Sequence, residues 1–330
     1  MARPKSAVTG GCGFIGSHVV DQLVAAGHDV VVIDNFSTGR PENLAHHRGS
    51  AHVRVVQADV ADAKRIAPEL AGVRWMFHIA ALADIVPSIQ HPEAYVRANV
   101  MGTLGALEAA REVGVERFVY SASSSCYGIP DVYPTPETSP FRTEYPYALS
   151  KVLGEELTLH WGRVYRLPVV SLRYFNVYGP RSRTSGTYGA VFGVFLAQKL
   201  HGQPFTVVGD GTQTRDFVFV TDVARANLAA AEAECSGEVF NVGTGRPQSV
   251  NRLVELLGGS VVHVPKRPGE PDATHADIAK IRRTLGWEPK VSFEEGVATI
   301  LKQIDYWREA PVWTVESISE ATRDWFRYLG

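Results

Sequence analysis

Cysteine is scarce. Cys12, Cys126 and Cys235 are the only three in 330 residues, and no two form a C-x-x-C pair. That argues against a disulfide framework and against a structural zinc site. Long hydrophobic runs are lacking too: nothing reaches the ~18 consecutive apolar residues of a membrane span. Met1-Ala-Arg-Pro-Lys5 leads into a strand pattern without a signal-peptide apolar region. The expectation is a cytoplasmic protein with no membrane partner. Charge of one sign is also missing, since 33 Lys and Arg against 35 Asp and Glu leave a net charge of -2. With no long basic run, a nucleic-acid partner is not expected. There is no internal repeat and no low-complexity linker. What remains is 45% apolar and 21% charged, an ordinary globular composition long enough for a large core.

Short apolar runs at 6–9, 29–33, 53–57, 74–79 and 117–120 read as strands. Helix patterns fall between them at 14–26, 62–70 and 99–112. This alternation predicts an α/β protein with a Rossmann-type, doubly wound parallel sheet. A long amphipathic helix over 144–165 and a strand at 169–173 continue the rhythm, which then breaks over 180–212. Later helices are expected at 190–200, 221–233, 249–257, 293–307 and 316–328, and short strands at 206–208, 238–241 and 261–264. Segments 215–220 and 238–242 read as strands returning to the sheet. The expected division is a dinucleotide-binding domain over 1–176, with returning segments near 213–247. A smaller mixed α/β substrate domain takes 177–212 and 248–330.

Gly10-Gly-Cys-Gly-Phe-Ile-Gly16 follows the first strand and opens the first helix. Gly10, Gly13 and Gly16 have the spacing of a turn whose amides, with the helix dipole, hold a pyrophosphate. Asp34 closes the second strand at roughly the 20-residue distance of an acid that accepts ribose hydroxyls. A carboxylate there repels a 2′-phosphate, so NAD is favoured over NADP, with Arg40 the one nearby residue able to soften that preference.

Tyr147 and Lys151 stand at i, i+4 on one helix face. An ammonium beside a phenol stabilises the phenolate, so Lys151 is expected to lower the Tyr147 pKa from its usual ~10. Upstream, Ser121-Ala-Ser-Ser-Ser-Cys-Tyr-Gly128 lies where the fifth strand stops. It offers a nucleophile, a hydrogen-bonding platform or a polar turn.

At this point the chain resembles the extended short-chain dehydrogenase/reductases, and among them the nucleotide-sugar epimerases, over nearly its whole length. The resemblance rests on Gly10–Gly16, Asp34-Asn-Phe-Ser-Thr-Gly39, Asp59-Val60, His78-Ile-Ala-Ala81 and Asn99-Val-Met-Gly-Thr103. It continues through Tyr147-Ala-Leu-Ser-Lys151, Arg173-Tyr-Phe-Asn-Val-Tyr-Gly-Pro-Arg181, Gly209–Phe217 and Arg267-Pro-Gly-Glu270. It implies that Gly10, Gly13, Phe14, Ile15, Gly16, Asp34, Asn35, Asp59, Val60, Ala80, Ala81, Asn99, Ser121 and Tyr174 border the dinucleotide. It makes Tyr147 the acid/base, Lys151 its electrostatic partner and ribose ligand, and Ser123 a proton relay. Ser124 and Ser125 would border the sugar together with Ala83 and Asp84. Asn176, Arg215 and Arg267 would hold the diphosphate. Cys126 is read as packing, so the serine run is a platform and not a nucleophile.

Within the family, dehydratases carry Thr-Asp-Glu where this chain has Ser123-Ser124-Ser125, and decarboxylases place a Glu at the position of Ser125. Neither acid is present, which favours plain 4-epimerisation of a nucleotide-diphosphate hexose through a 4-keto intermediate. The decarboxylase-like Gly209–Phe217 segment keeps a uronate epimerase or decarboxylase as the alternative, beside another oxidoreductase of the family. Thr274 aligns with the residue that gates the sugar pocket, and its small size admits 2-acetamido sugars as well as UDP-Glc and UDP-Gal. Asp84 and the loop over 181–192 either select an unusual or acidic sugar or face solvent. Relatives pair the helices matching 99–112 and 144–165, so a homodimer is expected. No metal is expected. The aromatic stretch 305–313 is read as core or interface packing.

Overall fold

The computed structural model describes residues 3–182 and 190–330. Its strands are β1 (Lys5–Thr9), β2 (Asp29–Asp34), β3 (Val53–Gln57), β4 (Trp75–His78), β5 (Arg117–Ser123), β6 (Val169–Tyr174) and β7 (Asn176–Tyr178). They continue with β8 (Phe205–Val208), β9 (Thr214–Arg215), β10 (Phe217–Phe219), β11 (Glu238–Val242), β12 (Gln248–Ser249) and β13 (Val261–Val264). Seven form one sheet in the order β11-β6-β5-β4-β1-β2-β3, all parallel. The direction of winding reverses between β1 and β4, so a crevice opens at their carboxyl ends, where α/β sheets of this kind bind ligands.

Such a sheet is covered on both faces, and its inner strands β4 and β6 are buried throughout. In β2, Val30 and Val32 join one core with Val8, Leu23 and Phe77, while Val31 and Ile33 join the other with Ala7, Met76 and Leu107. A third core gathers Tyr178, Phe192, Phe217, Phe219, Phe293 and the fully buried Trp307. The aromatic stretch 305–313 thus does supply core packing through Trp307.

Four sequence expectations are corrected. Segment 215–220 does not return to the central sheet. Its residues form β9, paired with β12, and β10, paired with β7, because Phe217 and Phe219 bury themselves in the third core. Glu238–Val242 does return, as β11 beside β6. The helix expected at 62–70 is Ala63–Ile66 followed by a 3-10 turn at Ala67–Leu70, since Pro68 removes an amide donor. Two long helices are each split: 293–307 into Phe293–Leu301 and a 3-10 turn Ile304–Trp307, and 316–328 into Val315–Ala321 and Arg323–Leu329. The long helix begins at Pro146, whose fixed φ suits a first turn, and runs to Tyr165. Among the described residues no helix is long and apolar enough to cross a membrane.

Candidate active site

A cleft of about 680 Å³ starts at the β1–β4 crevice and runs to the turn 267–274. Its first wall is bare backbone. Gly10 has φ +67°, and a Cβ there would lie 2.7 Å from the Ala80 Cα; at Gly16 it would lie 2.1 Å from the Gly10 carbonyl. The helix Phe14–Ala25 begins at Gly13 without a side-chain cap, so its first amides face the cleft unshielded. This cradle suits a pyrophosphate.

Asp34, buried at the end of β2, accepts the Cys12 amide at 2.9 Å on one oxygen and the Phe36 amide at 2.8 Å on the other. Each oxygen keeps lone pairs for a ribose hydroxyl. Burial raises the Asp34 pKa, and the two amides act against that rise. Asp59, Val60, Ala80, Ala81, Asn35 and Ser121 line the same half. Gly105 lets its helix pack on the 60–61 backbone, since a Cβ would come within 2.2 Å of the Val60 carbonyl. Tyr174 also lines the cleft, its hydroxyl donated to Asn227 at 2.9 Å.

Asn99 is the exception. It is buried and does not border the cleft. Its amide is spent on the Leu82 backbone, accepting at 2.8 Å and donating at 2.9 Å, and on the Ser150 hydroxyl at 2.8 Å. It fixes the 81–83 wall from behind.

Ser123 ends β5, and its hydroxyl caps the 3-10 turn Ser124–Tyr127 while lying 2.8 Å from the Ser125 hydroxyl. Ser123, Ser124, Ser125, Tyr147 and Lys151 all line the cleft midway along it. The turn is closed by Gly128 at φ +55°, where a Cβ would meet the Arg142 carbonyl at 2.2 Å. Burial pushes the Cys126 thiol up to about 12, in keeping with packing and not nucleophilic chemistry.

The expected fall in the Tyr147 pKa is reversed in the protein by itself. Burial raises it, and the Asp84 charge adds to the rise, while hydrogen bonds from the Ser123 and Ser125 hydroxyls oppose it. Lys151 is buried, its ammonium 4.5 Å from the Tyr120 ring centroid; burial lowers its pKa to about 7, opposed by the Glu155 carboxylate. Below Lys151 lies an ionic network. Glu155 accepts from Arg173 at 2.5 Å and from the Ser171 hydroxyl at 2.7 Å, and Arg173 donates to the Tyr127 hydroxyl at 2.8 Å.

The residues expected to hold the diphosphate gather at the far end of the cleft. Arg215 and Arg267 approach one carboxylate, Glu270, at 2.8 and 3.1 Å. Thr274 donates its hydroxyl to the Asn176 side-chain oxygen at 2.7 Å while accepting the Asp216 amide at 2.9 Å. That turns the Asn176 NH2 away from Thr274 as a donor for a ligand. Ala83 and Asp84 line the wall next to Tyr147. Of the 181–192 loop, Arg181 pairs with Asp21 at 2.8 Å, and residues 183–189 lie outside the described residues.

Sequence reasoning missed Tyr145, Glu270, Trp313 and Trp325, which also line the cleft. Glu270 was within reach, lying inside the Arg267–Glu270 stretch; Trp325 has no local motif to mark it. One grouping with metal-ligand chemistry occurs among the described residues: Asp21 with His46 and His47 at 2.7 and 2.8 Å. None of the three lines the cleft, and Arg181 occupies the other Asp21 oxygen.

These features define a Rossmann-type α/β protein whose cleft joins a glycine cradle to a wall carrying two arginines through a Ser–Tyr–Lys group. The chain belongs to the NAD dependent epimerase/dehydratase family, whose model matches residues 7–243. The UDP-glucose 4-epimerase of Mycolicibacterium smegmatis is 37% identical over 318 residues, 92% of this chain and 98% of that one. The UDP-glucose 4-epimerase of Thermotoga maritima, solved with UDP-glucose, has a TM-score of 0.84 at 37% identity, covering 92% and 99% of the two chains. The UDP-glucuronic acid 4-epimerase of Bacillus cereus, solved with UDP-glucuronic acid and NAD, has a TM-score of 0.84 at 31% identity, covering 92% and 99%. The family resemblance is thus borne out, and NAD is the family's cofactor, as expected from the glycine turn and Asp34.

Proposed function

We propose that the protein interconverts nucleotide-diphosphate hexoses at C4, acting on UDP-Glc/UDP-Gal and on their 2-acetamido counterparts. The carrying observation is the position of Ser123, Tyr147 and Lys151, between a glycine cradle and the Arg215–Arg267 pair, with no carboxylate in the serine run. Bound in the cradle, NAD supplies reversible two-electron oxidation of a secondary alcohol. Gly10, Gly13, Gly16 and Asp34 would hold it. Tyr147 takes the proton of the sugar 4-hydroxyl, and the Ser123 hydroxyl hydrogen-bonds the same oxygen and relays that proton. Lys151, when charged, stabilises the Tyr147 phenolate. Arg215, Arg267 and the Asn176 amide keep the diphosphate in place while the 4-keto sugar turns its other face; Tyr147 then returns the proton. No step needs an acid at Ser124 or Ser125, which a dehydration would.

Asp84 favours a neutral sugar over a uronate. Its charge is felt at Tyr147, beside the reacting carbon, and would repel a second carboxylate there. We further propose a homodimer built on the two helices Gly102–Val113 and Pro146–Tyr165, because Leu149, Leu153 and Val164 are exposed on the second and Met101 at the N-cap of the first. A cytoplasmic setting fits the three free cysteines.

The test is incubation of the purified protein with UDP-, CDP-, GDP- and dTDP-sugars without added NAD, products being resolved by NMR. The expected result is 4-epimerisation of UDP-hexoses, lost in Tyr147→Phe. Steady NADH accumulation, or full activity in Tyr147→Phe, would sink the reading.

A further inference from the structure

Trp325 has no part in the reaction just described, yet it lies in the wall of the cleft, buried on the short helix Arg323–Leu329. It grips the 267–270 turn twice. Its indole N–H donates to the Pro268 carbonyl at 2.7 Å, and the Arg267 guanidinium lies 5.2 Å from its ring centroid. The Tyr145 ring is 6.4 Å from it, and Tyr145 in turn stacks on Tyr147 at 6.4 Å and 6°. The preceding residue, Asp324, accepts a hydrogen bond from Gln90 at 2.8 Å. Gln90 ends the helix Ile85–Gln90, whose N-cap is Asp84. One short helix therefore joins the Asp84 wall to the arginine turn.

We propose that Trp325 is a positioning residue for the diphosphate clamp, holding the Arg267 guanidinium in the plane from which it meets the substrate's phosphates. The inference rests on the reading of Arg267 as a phosphate ligand. Arg carries a long stem whose rotamers must be frozen on binding, and a ring beneath the guanidinium freezes them beforehand while leaving its N–H edges outward. Glu270, shared by Arg215 and Arg267, offsets their mutual repulsion and fixes a second point of each. Trp325 supplies the face and Glu270 the edge.

The experiment measures binding of UDP and of uridine to the NAD-loaded full chain by calorimetry, with kcat and KM for a UDP-hexose alongside. The Trp325→Leu and Trp325→Phe variants are compared in wild-type and Arg267→Met backgrounds. Trp325→Leu is expected to weaken UDP about three- to thirtyfold while leaving uridine unchanged. KM should rise with kcat nearly retained. In the Arg267→Met background the same substitution should add less than about twofold, because the guanidinium it serves is gone. Full UDP affinity in Trp325→Leu, or an undiminished effect on Arg267→Met, would overturn the proposal. Should the Leu variant fail to fold, Trp325→Phe decides. It keeps a ring face without the N–H, so affinity near wild type supports the proposal and a loss equal to that of Arg267→Met refutes it. A wild-type protein that binds UDP but epimerises no sugar would overturn the reaction and not the clamp; one that binds no UDP would overturn both.

Discussion

Glu155 is the residue whose replacement should do most damage without touching a ligand. Its side chain is 2% exposed and that of Arg173 is 5% exposed, so the pair exchanges charge-assisted hydrogen bonds almost without water. Glu155→Gln keeps the shape and one acceptor but leaves a buried guanidinium without a counter-charge. Removing one partner of such a pair costs about 3–5 kcal/mol, or about 4–7 °C in Tm for a chain of 330 residues. By contrast, Ser171→Ala removes one hydrogen bond to the same carboxylate and should cost only about 1 kcal/mol. Glu155→Leu combined with Arg173→Met removes both charges and should recover at least half of the loss. The single change has a second effect. Glu155 holds the Lys151 pKa up against burial, so without it Lys151 loses its proton below about pH 7, and the alkaline limb of the activity profile moves to lower pH. Scanning calorimetry and a pH–kcat profile check the two parts. A Tm within 1 °C or so of wild type, on the slope just used, would show that the pair contributes little and that the account of the buried network is wrong.

Lys151 itself should be destabilising. Its folded pKa of about 7 lies below the ordinary 10.5, so between those values the unfolded chain binds the extra proton. The burial penalty is fully present below about pH 7 and is relieved as pH rises toward 10.5. Lys151→Met is therefore expected to raise Tm at pH 6, with the gain shrinking by pH 10, while turnover is lost; thermal melts across that range check the sign, and a destabilised variant at pH 6 would contradict it. For the proposed dimer, Leu153→Glu places a charge on the exposed face shared with Leu149, and sedimentation should show monomers with the fold retained. An unchanged sedimentation coefficient, or a wild type that is already monomeric, would remove that face as the interface.

The parts of this molecule legible in the sequence are those where local chemistry leaves one choice. Inner strands of a parallel sheet are covered on both faces, which is why β2 and β4 stand out as apolar runs, whereas the edge strand β3 carries the exposed Arg54 and Gln57. Gly10 and Gly16 cannot carry a Cβ, so the cradle is written in residue type. The i, i+4 spacing of Tyr147 and Lys151 fixes a shared face. What spacing does not fix is the balance of burial against charge. The expected fall in the Tyr147 pKa turned into a rise for that reason: desolvation depends on everything packed around the phenol. Segment 215–220 teaches the same point about pairing, since its pattern is that of a strand but the choice of β7 and β12 over the central sheet lies in the third core.

The far end of the cleft depends still more on distant partners. Arg215 and Glu270 are 55 residues apart, and Trp325 and Pro268 are 57 apart. Gln90 and Asp324 are 234 apart. Motifs mark Arg215 and Glu270 one by one, but no periodicity relates positions so far apart. Their meaning comes from convergence on one wall, where an aromatic face, a shared carboxylate and two guanidiniums arrive from separate parts of the chain. The cofactor half of the cleft is thus encoded by what backbone geometry forbids. The far half is encoded by which side chains the fold brings together from separate segments, and it follows that differences among relatives with the same cradle should be sought there, at Asp84, Thr274, Glu270 and Trp325.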